Sequence, residues 1–208
     1  MNIWLASGNF NKKAELAAIF ESCGLSHKLL VPKDAGIEFD PDETGGSFFE
    51  NALIKAGELC RLLEEAGSPL YSAGDPVIAD DSGLCVDALD GRPGILSARY
   101  GGKISAHERN VLLLDELGDA SIRRARFVCA MVLFYANDRF FLAQETLEGE
   151  IVKSIKDAAG SKGFGYDPVL YIPASERTVA QLSEEEKNHI SHRGKAGKII
   201  AKVLTEIN

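Results

Sequence analysis

The chain has 208 residues, 45% of them hydrophobic and 26% charged, an ordinary balance for one globular domain with a sizeable core. Its net charge of −8 excludes a general positive field for long nucleic acid, and no apolar run approaches the roughly 18 residues of a membrane span. The four cysteines (Cys23, Cys60, Cys85 and Cys129) contain no C-x-x-C pair, which excludes a zinc or redox dithiol motif and leaves them as buried free thiols.

The opening run, residues 3–6, reads as a first strand and lacks the basic region of a secretory signal, so a cytoplasmic location is the expectation. Ser7, Gly8 and Asn9 then make a turn into a helix. Leu16, Ile19, Phe20 and Cys23 share one face of it, and Gly24 can end it. Ser47-Phe48-Phe49-Glu50 reads as a capping box opening a second helix. Its buried stripe is predicted as Phe49, Ala52, Leu53, Ala56, Cys60 and Leu63, with Asn51, Lys55 and Glu58 on a different face.

Residues 67–76 are turn-rich and predict a surface loop. Val77-Ile78-Ala79 is a short buried strand running into Asp80-Asp81-Ser82-Gly83. Ser105 to Glu108 caps a helix that reaches Leu117 and stops at Gly118. The unbroken apolar run from Phe127 to Tyr135 predicts a central strand, which Asn137-Asp138 turns into a second strand over 139–147. Ser183 to Glu186 is a third capping box. The last helix is expected to bury Ala196, Ile199, Ile200, Val203, Leu204 and Ile207. Interleaved strands and helices with one long hairpin imply a mixed-sheet α/β fold. The hairpin suggests a second lobe with a cleft beside it, all within a single domain over residues 1–208.

Several turns carry chemistry. Ser7, Gly8, Asn9, Phe10, Asn11 and Lys12 put backbone N–H groups and an ammonium where an anion would sit, or else Asn9 merely caps the helix. Asp80 and Asp81 end an apolar strand and call for positive charge, of which a divalent metal is the usual source. In a regular strand they point to opposite faces, and the alternative is an Asp-Ser-Gly turn with solvated acids. Glu43, in an acidic loop, would complete a metal site. Lys55 reads as a solvated helix lysine unless its face lines a site. In Gly163 to Pro168, glycines admit a close ligand, Phe164 or Tyr166 offers a flat face to a base, and Asp167 offers an acceptor to a base N–H. The alternative is a Gly-aromatic turn into the strand at 169–171. Ser191-His192-Arg193-Gly194-Lys195 gathers three basic side chains in a break between two helices, either for a ligand or as partners of a helix C-terminus.

Taken together, SGNFNK (7–12), DETGGSFFENALIKA (42–56), ADDSGL (79–84), LDGRPGILSARYGG (89–102), GFGYDP (163–168), AQLSEEEKN (180–188) and ISHRGKA (190–196) resemble the inosine-triphosphatase family of house-cleaning purine triphosphate pyrophosphatases. The resemblance spans nearly the whole chain in family order. It implies an elongated two-lobed α/β fold with a central cleft, usually a homodimer. It also implies hydrolysis of ITP, dITP and XTP to monophosphate and pyrophosphate with Mg²⁺, Mn²⁺ being the alternative ion. By that resemblance Ser7, Asn9 and Lys12 bind the triphosphate with Lys55 assisting, and Gly8, Phe10 and Asn11 share the loop. Glu43 and Asp81 hold Mg²⁺, Asp81 is the proton acceptor, and Asp80 and Ser82 support the metal site. Phe164, Gly165, Tyr166, Asp167, Lys187, His192 and Arg193 form the base pocket. His192 and Arg193 are expected to donate to the 6-oxo group that adenine lacks. Two departures are a longer stretch at 64–76 and Ser7 where Thr is common.

Overall fold

In a computed structural model describing residues 2–207, the first apolar run forms β1 (Ile3–Leu5) and turns through Ser7 and Gly8 into α1 (Phe10–Ser22). Then come β2 (Leu29–Leu30), α2 (Phe48–Ala66) and β3 (Val77–Val86). Next are α3 (Ala106–Leu117), β4 (Arg124–Ala136) and β5 (Arg139–Ile151). The chain continues through β6 (Leu170–Ile172), β7 (Arg177–Thr178), α4 (Glu184–Ile190) and α5 (His192–Ile207). The strands form one sheet in the order β2-β1-β3-β4-β5-β6-β7. β1 is parallel to β2 and β3, whereas β6 is antiparallel to β5 and β7, so the sheet is mixed as expected. No described helix is long and apolar enough to cross a membrane.

Local signals place most helix ends. Ser105 and Ser183 each form a reciprocal capping box with the glutamate three residues on. At Ser47 only half of the box forms. Its Oγ accepts from the Glu50 N–H, but the Glu50 carboxylate reaches past it to the Gly46 N–H, 2.6 Å away. β3 does not end before the acidic pair but continues through it to Val86, so Asp80-Asp81-Ser82-Gly83 is strand rather than turn. Cys23 is exposed, because α1 stops at Ser22 and the thiol leaves the apolar stripe; Cys60 and Cys129 are buried and Cys85 half-buried.

The chain divides into two compact units. One comprises Met1–Asp81, Cys129–Glu145 and Arg193–Asn208, the other Ser82–Val128 and Thr146–His192. The hairpin is therefore not a lobe of its own. Its turn-proximal part belongs to the first unit, and its outer ends belong to the second.

In the first unit the strands carry apolar side chains on both faces. Ile3, Leu5, Ile78, Met131 and Leu133 pack with α1 and α5. Trp4, Val77, Ala79 and Val132 pack with α2 through Ala52, Ala56, Leu59 and Leu63. This is the alternation of a strand buried on both sides, and each fully buried leucine on α2 contributes about 1.5–3 kcal/mol. Phe49 and Leu53 flank the α2 stripe, half-buried, instead of joining its centre. On α5, Ala196, Ile200 and Leu204 recur at every fourth residue and are buried. Ile199 lies off that line and is exposed, while Val203 and Ile207 sit at its margin. The loop at 67–76 contains no strand or helix, and its buried Asp75 accepts from the N–H groups of Asn2 and Ser72.

The second unit has a separate core. Leu84 and Val86 of β3, Leu113 and Leu117 of α3, and Phe127 of β4 pack with Leu170 of β6.

Candidate active site

The alternation along β3 decides what the acidic pair does. Ile78 faces α1 and α5, so Asp80, two residues on, faces the same way. Val77 and Ala79 face α2, so Asp81 faces α2. The partners observed follow that parity.

On the α1 and α5 side, Asp80 is 2% exposed and surrounded by cations. Its Oδ1 lies 3.0 Å from Lys12 Nζ, and its Oδ2 accepts from Arg193 Nε and Nη2 at 3.0 and 2.9 Å. The third arm of Arg193, Nη1, donates to Glu15 at 2.6 Å. Burial opposes ionisation of Asp80, yet the charges of Lys12, Arg193 and Lys55 outweigh it and hold the carboxyl well below the usual carboxylate range. The same burial, with Asp80 beside it, pushes the Cys129 thiol up to about 12 and keeps it neutral. Because the folded state takes up the Asp80 proton later than the unfolded chain, its stabilisation is complete above the unfolded value of about 4 and is lost as pH falls below it. In thermal melts between pH 7 and 3, the wild type should lose stability more steeply below about pH 4 than Asp80→Asn. Parallel curves would refute the buried ion cluster.

On the α2 side, Lys55 Nζ donates to Asp81 Oδ1 at 2.8 Å and to Glu43 Oε1 at 3.0 Å. Lys55 is buried, not solvated. Burial disfavours its charge, but Asp81, Asp80 and Glu43 outweigh that and raise it above the ordinary lysine value. Asn51, one helical turn before Lys55, donates to Asp81 Oδ2 at 3.3 Å. At the β1–α1 turn Asn9 does cap the helix. Its Oδ1 takes the N–H groups of Asn11 and Lys12, and Ser7 Oγ takes that of Asn9. Of the N–H groups of residues 8–12, those three are thus engaged within the loop. Phe10 stands 79% exposed beside them.

The second unit assembles a different group. Phe164 is half-buried, with Lys187 Nζ 4.9 Å from its ring centroid. Lys187 also pairs with Asp167 Oδ2 at 2.9 Å, and the same oxygen accepts from the Phe164 N–H at 2.8 Å. A Cβ on Gly163 would lie 2.0 Å from that carboxylate oxygen, so only glycine admits this closed loop. Asn110 of α3 donates to the Gly165 carbonyl at 3.1 Å. Tyr166 is a core residue whose hydroxyl donates to the Ser97 carbonyl, which leaves Phe164 as the accessible aromatic face. His192 is buried and stacks on Phe127.

The structure thus brings Lys12, Lys55, Glu43, Asp80, Asp81 and Arg193 together in one unit. Phe164, Asp167 and Lys187 come together in the other, and Ser82 follows Asp81 on β3. Sequence reading gave no role to Glu15 or Asn51. The signal was helical spacing: Glu15 shares a face with Lys12 at i+3, and Asn51 with Lys55 at i+4.

Residues 3–203 match the model of the Ham1 family. The chain belongs to that family. Relatives of this Ham1 chain include a protein of Treponema denticola named dITP/XTP pyrophosphatase, 48% identical over 200 residues and 94% of both chains. Another so named, from Halalkalibacterium halodurans, is 42% identical over 98% of this chain and 100% of its own. The solved structure of the Staphylococcus aureus Ham1 protein superposes with a TM-score of 0.83 at 36% identity, with both chains fully covered.

Among the described residues of this Ham1 chain, no three Asp, Glu, His or Cys side chains form a metal cage. Mg²⁺ does not need one. It binds one or two carboxylates and completes its shell with water and phosphate oxygens. Glu43 and Asp81, whose carboxylates converge on Lys55, fit that demand as hard oxygen donors. Asp80 is already engaged by Lys12 and Arg193.

Proposed function

We propose that this chain hydrolyses dITP, ITP and XTP to the monophosphate and pyrophosphate, in the cytoplasm, as a Mg²⁺-dependent homodimer. The observation that carries the reading is the Lys55–Asp81–Glu43 cluster, with Lys12 paired to the neighbouring Asp80, in a chain 48% identical to a protein named dITP/XTP pyrophosphatase. Glu43 and Asp81 would hold Mg²⁺, which when bound neutralises phosphate oxygens. Asp81 accepts the proton of the water that attacks the α-phosphorus. Lys12 and Lys55 stabilise the charge that builds on the departing pyrophosphate.

A pyrophosphate-release assay with dITP, XTP, dATP and dGTP tests this, with Mg²⁺ and with EDTA and with products separated by chromatography. Fast conversion of dITP and XTP to monophosphates, slow use of dATP and dGTP, and loss of turnover in EDTA are expected. Absence of dITP turnover with Mg²⁺ would overturn the assignment.

A further inference from the structure

Asn51 is fully buried on α2, yet it is polar and amid charged neighbours. A buried amide is tolerated only where both of its ends find partners. Here both do. Its Oδ1 accepts from the Gly45 N–H at 2.9 Å, and its Nδ2 donates to Asp81 Oδ2 at 3.3 Å. The first bond settles the second. A backbone N–H can only donate, so the Asn51 atom facing Gly45 is the oxygen and the amino group is turned to Asp81.

The two oxygens of Asp81 are thereby distinguished, Oδ1 held by Lys55 and Oδ2 by Asn51. Asn51 also ties the loop carrying Glu43 to the same helix. The loop lies so close that a Cβ at Gly45 would sit 2.8 Å from Asn51 Oδ1 and 2.6 Å from Glu50 Cβ. A residue that fixes the rotation of a carboxylate determines which lone pair that carboxylate presents.

We propose that Asn51 is a positioning residue for the reaction. Through its orientation-locked amide it sets the rotation of Asp81. This inference rests on the hydrolase reading above and assigns a role inside it.

The test is a double-mutant cycle read with dITP, accompanied by thermal melts. Asn51→Leu keeps the volume and removes both bonds. Asn51→Asp keeps the acceptor for Gly45 and removes the donor to Asp81. Each should lower kcat by about 10- to 100-fold, the usual effect of losing an outer partner of a reacting group, with KM changed less than about threefold. On an Asp81→Asn background, Asn51→Leu should lower the residual kcat by less than about twofold, because the group it acts through is already gone. If Asn51→Leu does not fold, Asn51→Asp carries the measurement. Unchanged kcat in Asn51→Asp, a rise in KM alone, or a full additional loss on the Asp81→Asn background would each overturn the proposal. A wild-type protein that turns over no dITP would instead refute the hydrolase reading itself.

Discussion

Asp81→Asn should lower kcat for dITP by about 10²–10⁴, the range over which a positioned general base contributes. The substitution is isosteric, so what is lost is charge and basicity, not shape. The neutral amide can accept from Lys55 with its oxygen. Its amino group then meets the amino group of Asn51, whose own oxygen is committed to Gly45. A modest drop in melting temperature should therefore accompany a large drop in turnover. Steady-state kinetics with dITP, together with a melt of the same preparation, separate the two effects. Turnover near that of the wild type would remove Asp81 from the role of proton acceptor.

Arg193→Met should act in the opposite sense, on the fold more than on the choice of base. The guanidinium directs Nε and Nη2 to Asp80 and Nη1 to Glu15, so three of its nitrogens face acids in the buried cluster. Methionine fills much of the same volume but leaves Asp80 with less positive charge around it. Removing one partner of a buried ion pair costs about 3–5 kcal/mol. At about 2–4 °C per kcal/mol for a chain of this size, the melting temperature should fall by roughly 10 °C. The preference for dITP over dATP, measured as a ratio of kcat/KM values, should be unchanged in the fraction that remains folded. A collapse of that ratio without a change in melting temperature would show that Arg193 reads the base, the role the family resemblance gave it.

The difference between those two arginine roles shows where the sequence stops informing. The caps at Ser105 and Ser183, the stripe Leu16-Ile19-Phe20 and the apolar run of β4 are local features. Each places its own element with no knowledge of the rest. The motif order was enough for the family, the mixed α/β class and the substrate class of its relatives.

Local rules did not decide the residues whose fate depends on distant partners. Asp-Ser-Gly left strand and turn both open, and β3 runs straight on because its backbone is taken up in the sheet. Lys55 looked solvated on a helix whose apolar stripe lies elsewhere. It is buried because two carboxylates, from β3 and from the loop before α2, converge on it.

What the sequence by itself determined was therefore element type, most helix ends, family membership and the roster of charged residues. The tertiary structure alone decided the pairing within that roster. Asp80 and Arg193 are 113 residues apart, and Asp81 and Asn51 are 30 apart. No short-range preference encodes such contacts. The parity of β3 sends one aspartate to each face of the sheet, and only the packing of α1 and α5 on one face and α2 on the other determines which cations await them.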